Sequence, residues 1–599
     1  MNTVDLLSGL GAAALLVFPG WLLARAHRLP LPLLAGLISG AVALVLIIQL
    51  LDAGGLALSA RTILPAWLLV LLGAVWCGRK PALTAPAADP RIPARPDWWL
   101  MLPVLPAIAM VTYRAVTLPL FGVDNIFRWN FLAEQMVAHR TLAFYPPVTA
   151  GDYAIYSWPD GIAPAVSSLY FWIYSLAGAT RPELTAPLIV FQFLLLLAGA
   201  YALARQMASP KAGAIACGLV ACSPIVLWST GMGQESALMA VALLGLLLYL
   251  PASRETVSTP ATLAAGLAAA LAGLAREYGP AIICFGFALG LARRLPARTL
   301  GLFLLTALAG ALPWYGRNWL HTGNPFFNLD VAGLFPVNRA HLRLMQVYQE
   351  SFGWAQAPAD APRIFLANTS AALFGVIAGA LYCFRPARSL LAAIALVTAL
   401  WFVSVSYTAG GFTYALRVLT PALVIAAALG GVAIARWVST RSAAIILSCM
   451  LLALATDAAL RSLLLPLNVY DIPPAAWVGT SRAMHLGHLR TVYRELADLT
   501  AGRRILTVAI TALLNNNGAR TVPVWSPEVA YLWDPAFSPA EVTRRLADSG
   551  IGFVLIPKGD INRKYLIQIP YFRHKLDEHL QPVWSDAEAI LFQVKPTAR

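Results

Sequence analysis

Charge is scarce in this chain, and acid scarcer: 28 Asp and Glu stand against 43 Lys and Arg in 599 residues, and charged residues are only 12% of the total. Hydrophobic residues reach 59% and mean hydropathy is +0.69. No soluble fold hides that much apolar surface, so the composition points to a polytopic membrane protein. Cysteine is nearly absent. Its six copies (Cys77, Cys217, Cys222, Cys284, Cys383 and Cys449) all lie within or at the ends of apolar runs. That pattern excludes a disulfide framework and a thiolate zinc site. No basic stretch precedes the first apolar run, about 6–25, which is too long for a signal-peptide core and reads as a retained span.

Apolar runs of near-spanning length fall at 5–25, 31–51, 61–77, 98–119, 184–204, 211–230, 235–250, 261–275, 277–292, 299–319, 363–384, 389–407, 413–436 and 442–464. The net charge of +15 sits mainly in short loops between them, so membrane topology explains it and nucleic acid is not an expected partner. AHRLP (26–30), GRKPALTAPAADPRIPAR (78–95), ARQMASPK (204–211), PASRET (251–256), RRLPAR (293–298), RPARS (385–389) and RWVSTR (436–441) are expected on the cytoplasmic side. This alternation makes 120–183 a single outer loop. PAVSSLYFWIYSLAG (164–178) then cannot cross, and is expected to lie in the outer interface with Tyr170, Trp172 and Tyr174 at headgroup level. The outcome is an all-α polytopic protein of about fourteen spans, with both termini outside.

Three regions follow. Residues 1–97 form N-terminal membrane helices. Residues 98–464 form a membrane domain with outer loops 120–183 and 320–362, and residues 465–599 form an outer α/β domain. In that last part RILTVAI (504–510) and GFVLIP (552–557) are strand-like, and VWSDAEAILFQV (583–594) reads as a hairpin. SPAEVTRRLADSG (538–550) opens on a serine cap and stops on glycine. It has no Gly-rich phosphate loop and no usefully spaced carboxylate pair, so it reads as a scaffold or lid.

Asp124 follows the fourth apolar run, at the head of the first long outer loop, in GVDNIFRWNFLAEQM (122–136). A carboxylate at the lip of a helix bundle suits a catalytic base; the alternative is an N-cap for the helix FRWNFLAEQMVAH that follows. DNIFRWNFLAEQM (124–136), WPDGIAPAVSSLYFWIYSLAG (158–178), GMGQESALMAVALLG (231–245), LAGLAREYGP (271–280), ALPWYGRNWLHTGNPFF (311–327) and YALRVLTPALVIAAALGG (414–431) come in order, each with an outer-side end. Together they resemble the GT-C superfamily of integral-membrane glycosyltransferases. The similarity is to the bacterial branch that includes protein O-mannosyltransferases and aminoarabinose transferases. It covers about 120–430.

That resemblance implies a polyprenyl-phosphate sugar as donor, with Asp124 in the place of the family's catalytic aspartate. Asn125 replaces the usual second acid, leaving Asp152, Asp160 and Glu235 as candidates for that role. An anionic leaving group needs cations, and arginine's planar fork suits phosphate. Arg276, Arg317 and Arg417 each lie at the outer end of a span, against the positive-inside bias, and are the expected phosphate ligands. Loop 320–362 carries His321, Arg339, His341, Arg343 and Tyr348 and is long enough to be a lid over the lipid. His139, His321 and His341 are all outer-facing and no two stand four apart, so neither a metal nor another cofactor is expected.

The expected partners are membrane lipids, the lipid-linked donor, and an envelope glycan, lipid or protein acceptor at the periplasmic face of a bacterial inner membrane. The alternatives are a polysaccharide polymerase or ligase using a diphosphate-linked glycan, and a lipid or solute transporter. A transporter would place charge near the bilayer midplane and often shows internal repeats, neither of which is evident here.

Overall fold

A computed structural model describes residues 3–79, 98–122, 124–406, 411–464, 495–496, 498–500, 502–507, 519–558, 560–574, 577–585 and 589–595, with backbone alone at 370–371, 382–386 and 560–562. Most of the expected cytoplasmic loop 78–95, and residues 508–510 of the expected strand 504–510, lie outside the described residues.

The membrane part begins with α1 (Thr3–Ala26), α2 (Pro32–Ala53), α3 (Ala60–Gly78) and α4 (Val104–Thr117). The first long loop holds α5 (Asp124–Phe127), α6 (Trp129–His139), α7 (Ala150–Ile155) and α8 (Ala165–Ala177). Then come α9 (Ala186–Met207), α10 (Pro210–Ala221), α11 (Pro224–Gly231), α12 (Glu235–Tyr249), α13 (Thr259–Ala275), α14 (Pro280–Ala292) and α15 (Ala297–Thr322). The second long loop holds α16 (Arg339–Phe352). It leads to α17 (Ala361–Val405), α18 (Gly411–Ala415), α19 (Thr420–Ala435) and α20 (Arg441–Leu464).

All fourteen expected runs fall on helices, though not every one of those helices is long and apolar enough by itself to cross a membrane. Among the described residues nine helices are long and apolar enough to cross a membrane, or eleven if two bent pairs each count as one. The pair α10–α11 bends by 72°, where Pro224 at the start of α11 cannot continue the preceding hydrogen-bond ladder. α17 bends by 84° beyond Thr369, where the Asn368 and Thr369 side chains hydrogen-bond back to the carbonyls of Ile364 and Phe365. The other three, α12, α13 and α14, have 15, 17 and 13 residues, short of the roughly 20 that span a hydrocarbon core. Close helix approach needs small residues: a Cβ on Gly375 of α17 would sit 1.9 Å from the Ala426 carbonyl of α19.

The interfacial reading of 164–178 is corrected. α8 is buried inside the protein, with Tyr170 3%, Trp172 1% and Tyr174 0% exposed. Their polar tips find protein partners instead of headgroups. Trp172 Nε1 donates to Ala12 O at 2.9 Å, Tyr174 OH to Asn130 Oδ1 at 2.5 Å, and Tyr170 OH to Gly233 O. With those bonds made, the aromatic bodies gain more by packing between α1, α2 and α6 than by facing lipid.

The C-terminal part is a five-stranded sheet in the order β2-β1-β3-β5-β4. Its strands are β1 (Arg504–Thr507), β2 (Arg520–Pro523), β3 (Ile551–Pro557), β4 (Leu580–Ser585) and β5 (Ala589–Val594). β1 runs parallel to β2 and β3, while β5 pairs antiparallel with β3 and β4. The expected helix occupies Pro539–Asp548, and Ser538 Oγ caps it by accepting from the Glu541 amide at 3.2 Å.

The sheet domain is docked on the two long loops of the membrane part. Trp525 donates through Nε1 to Ser157 O at 2.7 Å and stacks edge-on against Trp158 and His341. Asn338 donates to Trp525 O at 2.8 Å, and Tyr565 OH to Ala340 O at 2.8 Å.

Candidate functional site

One end of the helix bundle collects charged side chains from five separate stretches of sequence. Glu235 opens α12, Arg276 and Glu277 follow α13, and Arg417 lies in the turn between α18 and α19. Asp124 and Arg128 come from α5 and its exit, and Asp160 from the loop before α8. The turn after α13 folds back so tightly that a Cβ on Gly279 would lie 1.8 Å from the Ala272 carbonyl, so REYGP requires its glycine.

These groups form an alternating chain of acid and base. Arg128 Nε meets Asp160 Oδ2 at 2.5 Å, and its Nη1 lies 3.9 Å from Asp124 Oδ2. Arg417 Nη2 donates to Asp124 Oδ2 at 2.8 Å, and Arg417 Nη1 to Glu235 Oε1 at 2.8 Å. Arg276 Nη1 lies 2.7 Å from the same Glu235 oxygen, and its Nε 3.1 Å from Glu277 Oε2, as ion pairs without hydrogen-bond alignment. Arg417 also donates to Gln234 Oε1, which accepts from Tyr414 OH at 3.1 Å, and its guanidinium lies 4.1 Å from the Tyr414 ring centroid. Asp160 accepts further from Tyr145 OH at 2.9 Å and Tyr156 OH at 3.2 Å.

Exposure along the chain is low: 0% at Glu235, 2% at Arg417, 5% at Asp160, 6% at Asp124 and 7% at Arg276. Charges taken this far from water persist only when paired. Burial opposes the Asp124 charge, but Arg417, Arg128 and Arg276, helped by a Tyr414 hydrogen bond, hold its carboxyl below the ordinary range. Asp160 and Asp124 hold Arg128 protonated against burial, while burial lifts the Asp160 carboxyl above its ordinary range despite Arg128. Among the described residues, the buried Glu235 Oε2 and Arg417 Nε have no hydrogen-bond partner, so the cluster retains bonding capacity.

The structure brings Asp124, Asp160, Glu235, Arg276 and Arg417 together. It does not bring in five others. Arg317 donates to the carbonyls of Tyr145 at 2.5 Å and Leu142 at 2.7 Å, and lies 3.7 Å from Asp52. Asp52 in turn accepts from Thr141 and the Leu142 amide, so Arg317 belongs to a clamp on the first long loop. Asp152 caps α7, its Oδ2 accepting from the Val148 and Thr149 amides, which holds it at the start of that helix and away from the cluster. His321 Nε2 sits 3.1 Å from Pro146 O, beside that clamp.

Arg339 is exposed at the start of α16. His341 is buried against Trp158 and Trp525, with Nδ1 3.2 Å from Asn328 Nδ2. Burial, with Arg128 nearby, pushes its imidazole down to about 3, so it stands neutral.

Sequence reading overlooked Arg128, Gln234 and Glu277. Arg128 carried a signal, since it follows Asp124 by four residues, the spacing of helical ion pairs. Among the described residues no group of three or more His, Cys, Asp and Glu could hold a metal ion.

No family model matches the chain, and no curated protein matches it in sequence. Several solved structures are similar in shape. ArnT from Cupriavidus metallidurans in the apo state aligns at 15% identity and TM-score 0.49, over 83% of this chain and 99% of that one. The archaeal oligosaccharyltransferase AglB from Archaeoglobus fulgidus, in complex with an inhibitory peptide and a dolichol-phosphate, aligns at 14% identity and TM-score 0.46, over 77% of this chain and 69% of that one. The arabinofuranosyltransferase AftD from Mycobacteria aligns at 16% identity and TM-score 0.47, over 86% of this chain and 42% of that one.

Proposed function

We propose that this protein is a GT-C-like glycosyltransferase that moves a sugar from a polyprenyl-phosphate carrier to an acceptor at the periplasmic face of a bacterial inner membrane. One observation carries the reading: the Asp124 carboxylate held by Arg417 at 2.8 Å in a buried cluster at one end of an apolar helix bundle. The order of the six sequence segments supports it.

In this scheme Asp124 accepts the proton of the acceptor hydroxyl or amine as that atom bonds to the sugar's anomeric carbon. The bond from that carbon to the phosphate oxygen breaks, and the lipid phosphate leaves as an anion. Arg276 and Arg417 stabilise the charge that develops on it, and Arg128 and Asp160 position Asp124. Carboxylates and guanidiniums supply every group the scheme uses.

The test compares envelope lipids and glycans by mass spectrometry in cells carrying wild type, Asp124→Asn or no gene. Asparagine keeps size and polarity but cannot take the proton. The modified product should vanish in both the variant and the deletion, and turnover of purified Asp124→Asn should fall by at least about 10²-fold. A folded Asp124→Asn, verified by its melt, that turns over normally would sink the scheme.

A further inference from the structure

A cleft of about 710 Å³ opens between the sheet domain and the two long loops, within the roughly 300–1,000 Å³ typical of small-ligand sites. Arg339 and Arg343 of α16 reach it from one side and Arg573 from the other, and among the described residues no Asp or Glu lines it. Arg573 donates to the carbonyls of Ile567 and Gln568, which fixes its fork in place. Among the described residues none of the three meets a carboxylate. Aromatic rings of Tyr153, Trp525 and Trp533 line the same space.

Three guanidiniums with no acid beside them among the described residues, next to aromatic rings, recognise a particular chemistry. Arginine forks bind carboxylate or phosphate oxygens bidentately, while aromatic rings pack against the apolar faces of sugar rings. A lipid headgroup would bring acyl tails, yet of the long apolar helices only α15 reaches the cleft, and only with its last residue, Thr322. The lining is otherwise loop and sheet domain. The cleft also adjoins the ion chain: Trp525 lines it and stacks on Trp158, two residues before Asp160.

We propose that this cleft binds an anionic saccharide, the part of the acceptor that carries carboxylate or phosphate groups. Resting on the glycosyltransferase reading, this names the acceptor class. Arg339 and Arg343 hold its charge and the sheet domain forms the far wall. Trp525 and Trp533 then have a task beyond docking.

The test uses the full-length protein in nanodiscs of zwitterionic lipid, without donor, and reads tryptophan fluorescence. Tetragalacturonate should bind at least tenfold more tightly than neutral maltotetraose, and Arg339→Glu/Arg343→Glu should abolish the difference. The variant's melting temperature and its binding of undecaprenyl phosphate should stay at wild-type values. If that variant fails to fold, Arg339→Gln/Arg343→Gln serves, with a tenfold loss expected. Equal affinity for the two tetrasaccharides, or wild-type affinity in the folded variants, overturns the proposal. So does tighter binding of water-soluble dihexanoyl phosphatidylglycerol than of tetragalacturonate, which would make the cations a headgroup site. Because the probe is read without turnover, failure of the Asp124 chemistry leaves this result legible.

Discussion

Arg417 holds Asp124 through Nη2 and Glu235 through Nη1, each at 2.8 Å, so one buried guanidinium ties the first long loop to the start of α12. Removing one member of a buried ion pair strands the other. Arg417→Ala should therefore destabilise the protein by about 3–5 kcal/mol. Arg417→Lys should recover only part of that, since a point charge holds one carboxylate well but not two. Thermal unfolding in detergent measures both. A wild-type midpoint for Arg417→Ala would mean the pair is not closed in solution.

Arg317 separates structural from chemical roles. With its donors on Leu142 and Tyr145 carbonyls, Arg317→Ala should lower the melting temperature and leave the donor KM unchanged. An unchanged melt with a raised donor KM would return Arg317 to phosphate binding.

His341 sets a pH dependence. Its folded imidazole is pushed down to about 3, below the ordinary 6.5, so the unfolded chain takes up the proton first. The His341 contribution is then complete above about pH 6.5 and is lost as pH falls towards 3, by up to about 1.4 kcal/mol per pH unit. His341→Gln should flatten melting temperature against pH between 6.5 and 5. Parallel profiles for wild type and variant would show that His341 titrates freely.

Trp525 fastens the sheet domain. Trp525→Ala removes the bond to Ser157 and the packing on Trp158, a loss of about 3–5 kcal/mol for a buried tryptophan. Limited proteolysis should cut within 504–594 faster in the variant, with the helical part unchanged. Equal cleavage rates would mean that the bonds of Asn338 and Tyr565 suffice to hold the domain.

Sidedness is checked by labelling. In a background without native cysteine, Thr149→Cys should react with an impermeant thiol reagent in whole cells and Arg205→Cys should not. Both positions are exposed in the fold, so lack of access cannot explain protection. The reverse pattern would invert the topology.

Hydropathy made the helices legible, because a spanning helix advertises itself over some twenty residues. It could not place α8. Its aromatic surface suits headgroups, and only the distant partners of Tyr170, Trp172 and Tyr174, at Gly233, Ala12 and Asn130, bury it. Strand β2 escaped notice because RTVP is four residues long and ends in proline. In the candidate site Asp124, Glu235, Arg276 and Arg417 could be singled out one by one, since charge beside an apolar run stands out. Their pairing could not, because Asp124 and Arg417 meet across 293 residues. Asp152 and Asp160 look alike in sequence, and only one caps a helix.

The alternation from Asp160 to Glu277 leaves the resting cluster electrically closed: its guanidiniums already have counter-ions. A phosphate arriving at Arg276 or Arg417 would exchange with Glu235 or Asp124 instead of filling a vacancy. Each exchange loosens a carboxylate, and a carboxylate released from its arginine regains basicity. Under the proposed chemistry, phosphate arrival and base strength would then be one event, and the resting protein would keep its base muted.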